Sequence, residues 1–355
     1  LDGKKDPGYE GIWVSEPYVI AIKREENAYV GSILEADGVY WQKDQVKLTI
    51  APSGKEVAAS YFMRDHSEQK MTEVNLVGNN HLEIGFVNLR RTYPELEELP
   101  EVVGYNRAMS ARAPYFEQLD ERTTYLRIPS FSGSEKPLID SVINANRDRI
   151  TNTENFIIDI RNNGGGADRS YAVPLSFLYT NPIRTIGVEY YSTELNNQRM
   201  LDFIEKPEYG FSEEGKQWAR ESHEKLSAAL GKFVSLNDNP VSITTYDTIY
   251  PYPRQVAILI NENNGSTSEQ FLLAAKQSKK TKLFGVTTTG VLDISNIYFV
   301  NSPCNRFQLG YCLTRSMRIP HMAIDGKGIM PDYYLGDSVL KHEWLSFTRK
   351  VLAGK

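Results

Sequence analysis

Two near-continuous apolar runs, FIIDI at 156–160 and VAILI at 256–260, limit what this chain can fold into more than any other feature. A strand with one face in water alternates apolar and polar residues, whereas one that is apolar at successive positions must be covered on both faces. Such strands need helices on two sides of a sheet, and the flanking sequence supplies them. TTYLRIPSF at 123–131 reads as a further strand, PLIDSVINANRDRI at 137–150 has apolar residues at helical spacing, and a turn and a helix follow VAILI. The expected class of the region 115–345 is therefore α/β.

The preceding region has another rhythm. Between 11 and 87, short runs at 18–23, 29–34, 46–50, 58–63, 74–77 and 82–87 alternate with period two, separated by turns carrying Asn, Asp, Gly and Pro. No helical stretch intervenes, which predicts a small antiparallel β barrel or sandwich over 1–95. The stretch 96–114, acidic and then small and polar, reads as a linker. An insertion at 192–239 interrupts the α/β rhythm with a helix-like segment, in which Ser212 is placed as the N-cap and Gly231 as the stop. It reads as a surface excursion or a lid.

Composition narrows the function classes. The 355 residues allow two or three domains. Forty Lys and Arg stand against 45 Asp and Glu, and no basic stripe forms, so no nucleic-acid partner is expected. No apolar run approaches the roughly 18 residues of a membrane span. The start, LDGKKDPGYEGIW, has neither an initiator Met nor a signal-peptide core, as in a mature product or a fragment. Cys304 and Cys312 match no zinc or redox spacing and read as two buried thiols or one short-loop disulfide. Neither a metal nor an organic cofactor is expected.

Chemistry concentrates where the two apolar strands end. In FIIDIRNNGGG, 156–166, three glycines let the backbone approach a partner closely and leave amide N–H groups open to an oxyanion or a phosphate. The nucleotide-binding glycine patterns are absent. In VAILINENNGSTSEQFLLAAK, 256–276, Ser266 and Glu269 have the spacing of a helix capping box. The other reading of Ser266 is a nucleophile on a strand-to-helix turn, with the amides of Thr267 and Ser268 facing the oxyanion it would form. The Asn264-Gly265-Ser266 sequon falls where a core turn is expected, so it reads as incidental.

With KLFGVTTTG at 282–290 and DGKGIMPDYYL at 325–335, these junctions give four elements in order that resemble peptidase family S41, which includes the C-terminal processing (tail-specific) proteases and the tricorn core. The resemblance covers roughly 115–335. It implies a ClpP/crotonase-like core and a serine endopeptidase acting on polypeptide. Ser266 corresponds to the family's nucleophile, and the oxyanion donors would be the amide of Thr267 and one from Gly165 or Gly166.

The activating group departs from the family pattern. The tail-specific branch places a Lys 25 residues after the nucleophile, where this chain has Val291, and the Gln that usually follows is Ser295. The tricorn-like branch uses a His backed by a carboxylate, and Asp325 occupies the carboxylate's place. That His belongs to a segment expected upstream of Leu1. Of the five histidines present, His66, His81, His223, His321 and His342, only His66 has an Asp-His-Ser setting, and it falls in a polar turn. The N-terminal region lacks a recognisable PDZ carboxylate-binding loop, leaving peptide binding by strand addition or a packing role. Its combination with the core resembles Bacteroidetes-type S41 proteins that carry export signals, which implies a periplasmic or secreted location. The alternatives to an active peptidase are an impaired, peptide-binding pseudopeptidase and a crotonase-like acyl hydrolase.

Overall fold

The computed structural model describes residues 7–53, 56–336 and 338–354, which fall into two compact units. The first runs to Ser110 and includes Lys341–Glu343; the second holds Ala111–Leu340 and the segment from Trp344.

The first unit is a nine-stranded antiparallel sheet that is nearly barrel-shaped. In spatial order its strands are Glu68–Met71, Glu56–Phe62, Val46–Ser53, Ala28–Glu35, Tyr18–Glu25, Gly11–Ser15, Val87–Tyr93, His81–Ile84 and Val74–Val77. Period-two alternation drives it: along Tyr18–Glu25, residues Tyr18, Ile20 and Ile22 turn inward and join Trp13, Ile33, Leu48, Leu82 and Leu89 in one core. The run expected at 82–87 is two strands, because Gly85, with φ 54°, turns the chain between them. Part of the turn expected before Ala58 lies at 54 and 55, outside the described residues. The stretch read as a linker carries a helix, Pro100–Ser110, whose Val102 and Tyr105 are buried with Val77.

The second unit centres on a six-stranded sheet in the order Tyr115–Asp120, Thr123–Arg127, Asn155–Asp159, Gln255–Ile260, Thr281–Gly285 and Tyr333–Tyr334. The first pair is antiparallel and every later pair is parallel. Phe156 and Ile158 point into one hydrophobic cluster, with Val256, Ile258 and helix residues such as Phe271. Ile157 points into another, with Ala257, Leu259, Trp344 and Leu352. Both faces are covered, as the apolar runs require.

Between the central strands, the segment 192–239 holds two helices, Glu194–Glu205 and Glu213–Ser227. Ser212 caps the second, its hydroxyl accepting from the Gly215 amide at 3.2 Å. A second, four-stranded sheet has the order Phe233–Ser235, Val188–Tyr191, Gln308–Ser316, Ile294–Asn301. Cys304 and Cys312 are free thiols; Cys304 is exposed and Cys312 half-buried. Among the described residues no helix is long and apolar enough to cross a membrane.

Candidate active site

The two central strands end side by side, so the turns that follow them meet. Asparagines stitch these turns together, Asn263 among them through its Nδ2, which donates to Asn162 Oδ1 at 2.9 Å. Asn264 is fully buried; its Nδ2 donates to the carbonyls of Ile160 (2.5 Å) and Asn163 (3.0 Å), and its Oδ1 accepts from the Asn261 amide at 2.7 Å. Asn162, at φ 61°, receives the Asn261 side chain on its Oδ1 at 2.6 Å and donates its amide to Asn261 Oδ1 at 2.8 Å. Asn163 Oδ1 accepts from the amides of Phe131 and Gly165 and from Ser268 Oγ. A short amide side chain both donates and accepts, which is why such residues can replace sheet hydrogen bonds at a junction. With Asn264 wholly inside this network, the asparagine of the sequon has no access to solvent.

Ser266 sits between the turn and the helix Thr267–Ala275 with φ 54° and ψ −123°, and its side chain makes no capping hydrogen bond. The capping-box reading is thereby corrected. Its partner Glu269 is fully buried and turns to the loop 288–291, accepting from Thr288 Oγ1 (2.5 Å) and from the amides of Gly290 (2.7 Å) and Val291 (2.9 Å). A non-glycine residue held at such angles stores of order 1–3 kcal/mol of strain. The half-buried hydroxyl of Ser266 is free of any hydrogen bond among the described residues.

The glycine turn packs directly on this serine. A Cβ placed on Gly165, whose φ is 108°, would lie 2.9 Å from Ser266 Cβ and 2.9 Å from the Thr267 amide nitrogen. Of the two glycines expected as oxyanion donors, Gly165 gives its own amide to Asn163 Oδ1 at 3.0 Å, because the turn folds back on that buried side chain. The amides of Gly166 and Thr267 have no acceptor among the described residues, although Thr267 is only 4% exposed. A buried, unpaired N–H is costly unless a ligand completes it. Thr267 Oγ1 ties the two turns together at 3.0 Å from both the Gly166 carbonyl and Asp168 Oδ1. Asp168 is an addition that no motif had marked.

On the far side of Gly265 lies the loop that holds Val291, the position for which the resemblance implies a Lys. Val291 Cγ2 would be 2.7 Å from a Cβ on Gly265, so position 291 does adjoin the serine turn, but with a half-exposed apolar side chain. Asp325 faces the backbone that follows this loop. Its Oδ1 accepts from the amides of Leu292 and Asp293, both at 2.6 Å, and its Oδ2 from Ile294 at 3.1 Å. It thus fastens the start of the strand Ile294–Asn301 and, among the described residues, makes no hydrogen bond with a histidine or with Ser266. Asp293 reciprocates: its Oδ2 accepts from the amides of Ile324 and Asp325 and its Oδ1 from Arg318 Nε at 2.8 Å. Burial would raise the Asp293 pKa, but those amides and the Arg318 charge outweigh it and hold it below the usual carboxylate value.

No histidine is hydrogen-bonded to Ser266 among the described residues. His66 and His81 belong to the first unit: His66 stacks on Trp41 and bonds the Tyr40 carbonyl, while His81 is buried beside Glu83. His223 lies on the helix Glu213–Ser227, His321 in an exposed turn and His342 in the short helix Lys341–Glu343. Among the described residues no group of three or more His, Cys, Asp or Glu is arranged to hold a metal ion.

In this α/β core the turns after the two central strands thus meet at Ser266. The family model for peptidase family S41 matches residues 122–335, well over half of the chain, and the chain belongs to that family. Mature CPAF complexed with lactacystin shares the fold, with a TM-score of 0.51 and 13% identity over 97% of this chain and 83% of that one. A putative S41 protease from Bacteroides fragilis NCTC 9343 gives 0.42 and 11% over 97% and 84%, and the photosystem II D1 C-terminal processing protease 0.42 and 11% over 92% and 74%. Among curated proteins none matches the chain. Membership of S41 supports a peptidase function.

Proposed function

We propose that this chain is a serine endopeptidase in which Ser266 attacks the peptide carbonyl and the amides of Thr267 and Gly166 receive the oxyanion. The observation that carries the reading is the backbone of Ser266: φ 54° and ψ −123° at a strand-to-helix turn lift an unbonded hydroxyl clear of the helix end. In the reaction the Oγ–C bond forms as the hydroxyl proton leaves, the C–N bond breaks as the leaving amine takes a proton, and water then releases the acyl group. Gly165 contributes by lacking a side chain, since any Cβ would press on Ser266. Asp325 acts as a fastener of residues 292–294 rather than as the acid behind a base. The proton acceptor is a group other than residue 291, because Val cannot take a proton. The family resemblance also supports an extracytoplasmic location, which fractionation of the native host would test.

Covalent labelling with a fluorophosphonate, mapped by mass spectrometry, is the test. The expected result is label on Ser266, none in Ser266→Ala, and slower label at the same residue in Ser268→Ala, which loses the one hydroxyl proton shared between the carbonyl and the Oδ1 of Asn163. Equal labelling of wild type and Ser266→Ala would overturn the assignment. One observation favours a second reading, a peptide-binding pseudopeptidase: an apolar Val291 stands beside the serine turn where the relatives carry a base. Peptide binding without labelling or cleavage would establish it.

A further inference from the structure

We propose that Asp168 is a positioning residue which, on gaining a proton, locks the Thr267 hydroxyl onto the Gly166 carbonyl and so fixes the two oxyanion-binding amides beside Ser266. The proposal rests on Ser266 being the nucleophile.

The argument begins with a proton count. Thr267 Oγ1 stands 3.0 Å from the Gly166 carbonyl oxygen and 3.0 Å from Asp168 Oδ1. A carbonyl only accepts, and so does an ionised carboxylate, which leaves a single hydroxyl proton for two acceptors. If Asp168 is protonated, its O–H donates to Thr267 Oγ1 and the Thr267 O–H goes wholly to Gly166. Both contacts are then full hydrogen bonds, and the glycine turn is held to the first residue of the serine helix.

Charge argues in the same direction. An ionised carboxylate next to Thr267 opposes the negative charge that a tetrahedral intermediate would place on the Thr267 amide, and protonation removes that opposition. The groups facing Asp168 are Thr267 and Arg318 from neighbouring segments and Tyr171 from its own turn. Arg318 is shared: its Nε serves Asp293 at 2.8 Å and its Nη1 serves Gln270 at 3.4 Å, so Asp168 has no cation to itself. Asp168 is exposed as a residue, and desolvation of its carboxyl still raises its pKa against the pull of Thr267 and Arg318.

The experiment compares the second-order rate of fluorophosphonate labelling at Ser266 from acid to alkaline pH in wild type, Asp168→Asn, Asp168→Ala and Thr267→Val. Asn carries no charge and donates from Nδ2 at every pH, so it imitates the protonated acid. The ratio of the Asp168→Asn rate to the wild-type rate cancels every other titrating group. It is expected to climb from near unity at acid pH to roughly fivefold above the raised pKa of Asp168. Asp168→Ala and Thr267→Val, which break the chain of donors, should be slower than Asp168→Asn throughout. A thermal melt supplies an independent reading. A raised folded-state pKa means that wild type loses stability as pH rises through it, and Asp168→Asn should not. A flat rate ratio, or Asp168→Asn as slow as Asp168→Ala, would overturn the proposal while leaving Ser266 as the nucleophile. No label on Ser266 in wild type would remove the nucleophile and this proposal together.

Discussion

The backbone at Ser266 separates a serine kept for chemistry from one kept for capping. A cap would use β-region angles and a hydroxyl turned to the helix amides; Ser266 has φ 54° and no such bond. Glycine tolerates this conformation, so Ser266→Gly should relieve the strain, while Ser266→Ala keeps the Cβ that causes it. Allowing for the extra freedom of glycine in the unfolded chain, Ser266→Gly is expected to be about 1 kcal/mol more stable than wild type and Ser266→Ala no more stable. Urea melts of the three proteins check this. A less stable Ser266→Gly would mean that the angle is comfortable for serine and that its functional reading is weaker.

Among the elements, the strand Asn155–Asp159 shows what a buried charge does for a junction. Asp159 is fully buried and accepts from Tyr125 OH at 2.8 Å, from the Arg161 amide at 3.0 Å and from Arg161 Nη2 at 2.6 Å, with Arg127 at 3.6 Å. Burial would raise its pKa, but the charges of Arg161 and Arg127 prevail and hold it below the usual value of 3.8. A depressed carboxylate stabilises the fold above its unfolded pKa and loses that contribution as pH falls through the folded one. Asp159→Asn should therefore cost about 3–5 kcal/mol near neutrality, since it removes the buried carboxylate charge that the Arg161 and Arg127 guanidinium groups face. It should also flatten the fall in stability below pH ~4. Circular dichroism melts across pH measure both effects.

The same element shows what could be read in advance. Unbroken apolar residues announced two doubly covered strands, and Gly-Gly-Gly and Ser-Thr-Ser-Glu marked the turns that follow them. The junction's bonds could not be read, because Asn162 and Asn163 meet their partners about a hundred residues away. Asp168 carried no motif for the same reason: its role exists only once Thr267 is folded against it. The helix Pro100–Ser110 escaped because an acidic, proline-flanked composition outweighed the helical spacing of Val102, Tyr105 and Ala108.

At the scale of the whole molecule, each unit has its own core, and that of the first contains a charge. Lys47 is 1% exposed, and its ammonium lies 3.9 Å from the ring centre of Trp41, 4.1 Å from Tyr18 and 4.9 Å from Tyr61. Cation–π attraction offsets part of the cost of leaving water, but burial still lowers its pKa to about 8, with Asp37 opposing the shift. A lysine depressed in the folded state makes stability rise with pH between about 8 and the unfolded value of 10.5. Lys47→Met keeps the volume without the charge, so the mutant should be about 1–2 kcal/mol more stable at pH 7 and should lose that alkaline rise. The partners of Lys47, including the Met63 carbonyl, all belong to the first unit, whereas those of the Ser266 turn belong to the second. The rate of covalent labelling at Ser266 should accordingly be the same in Lys47→Met as in wild type. A change in that rate would show that the nearly closed barrel influences the serine turn, and peptide cleavage by the two proteins would then be compared over the same pH range.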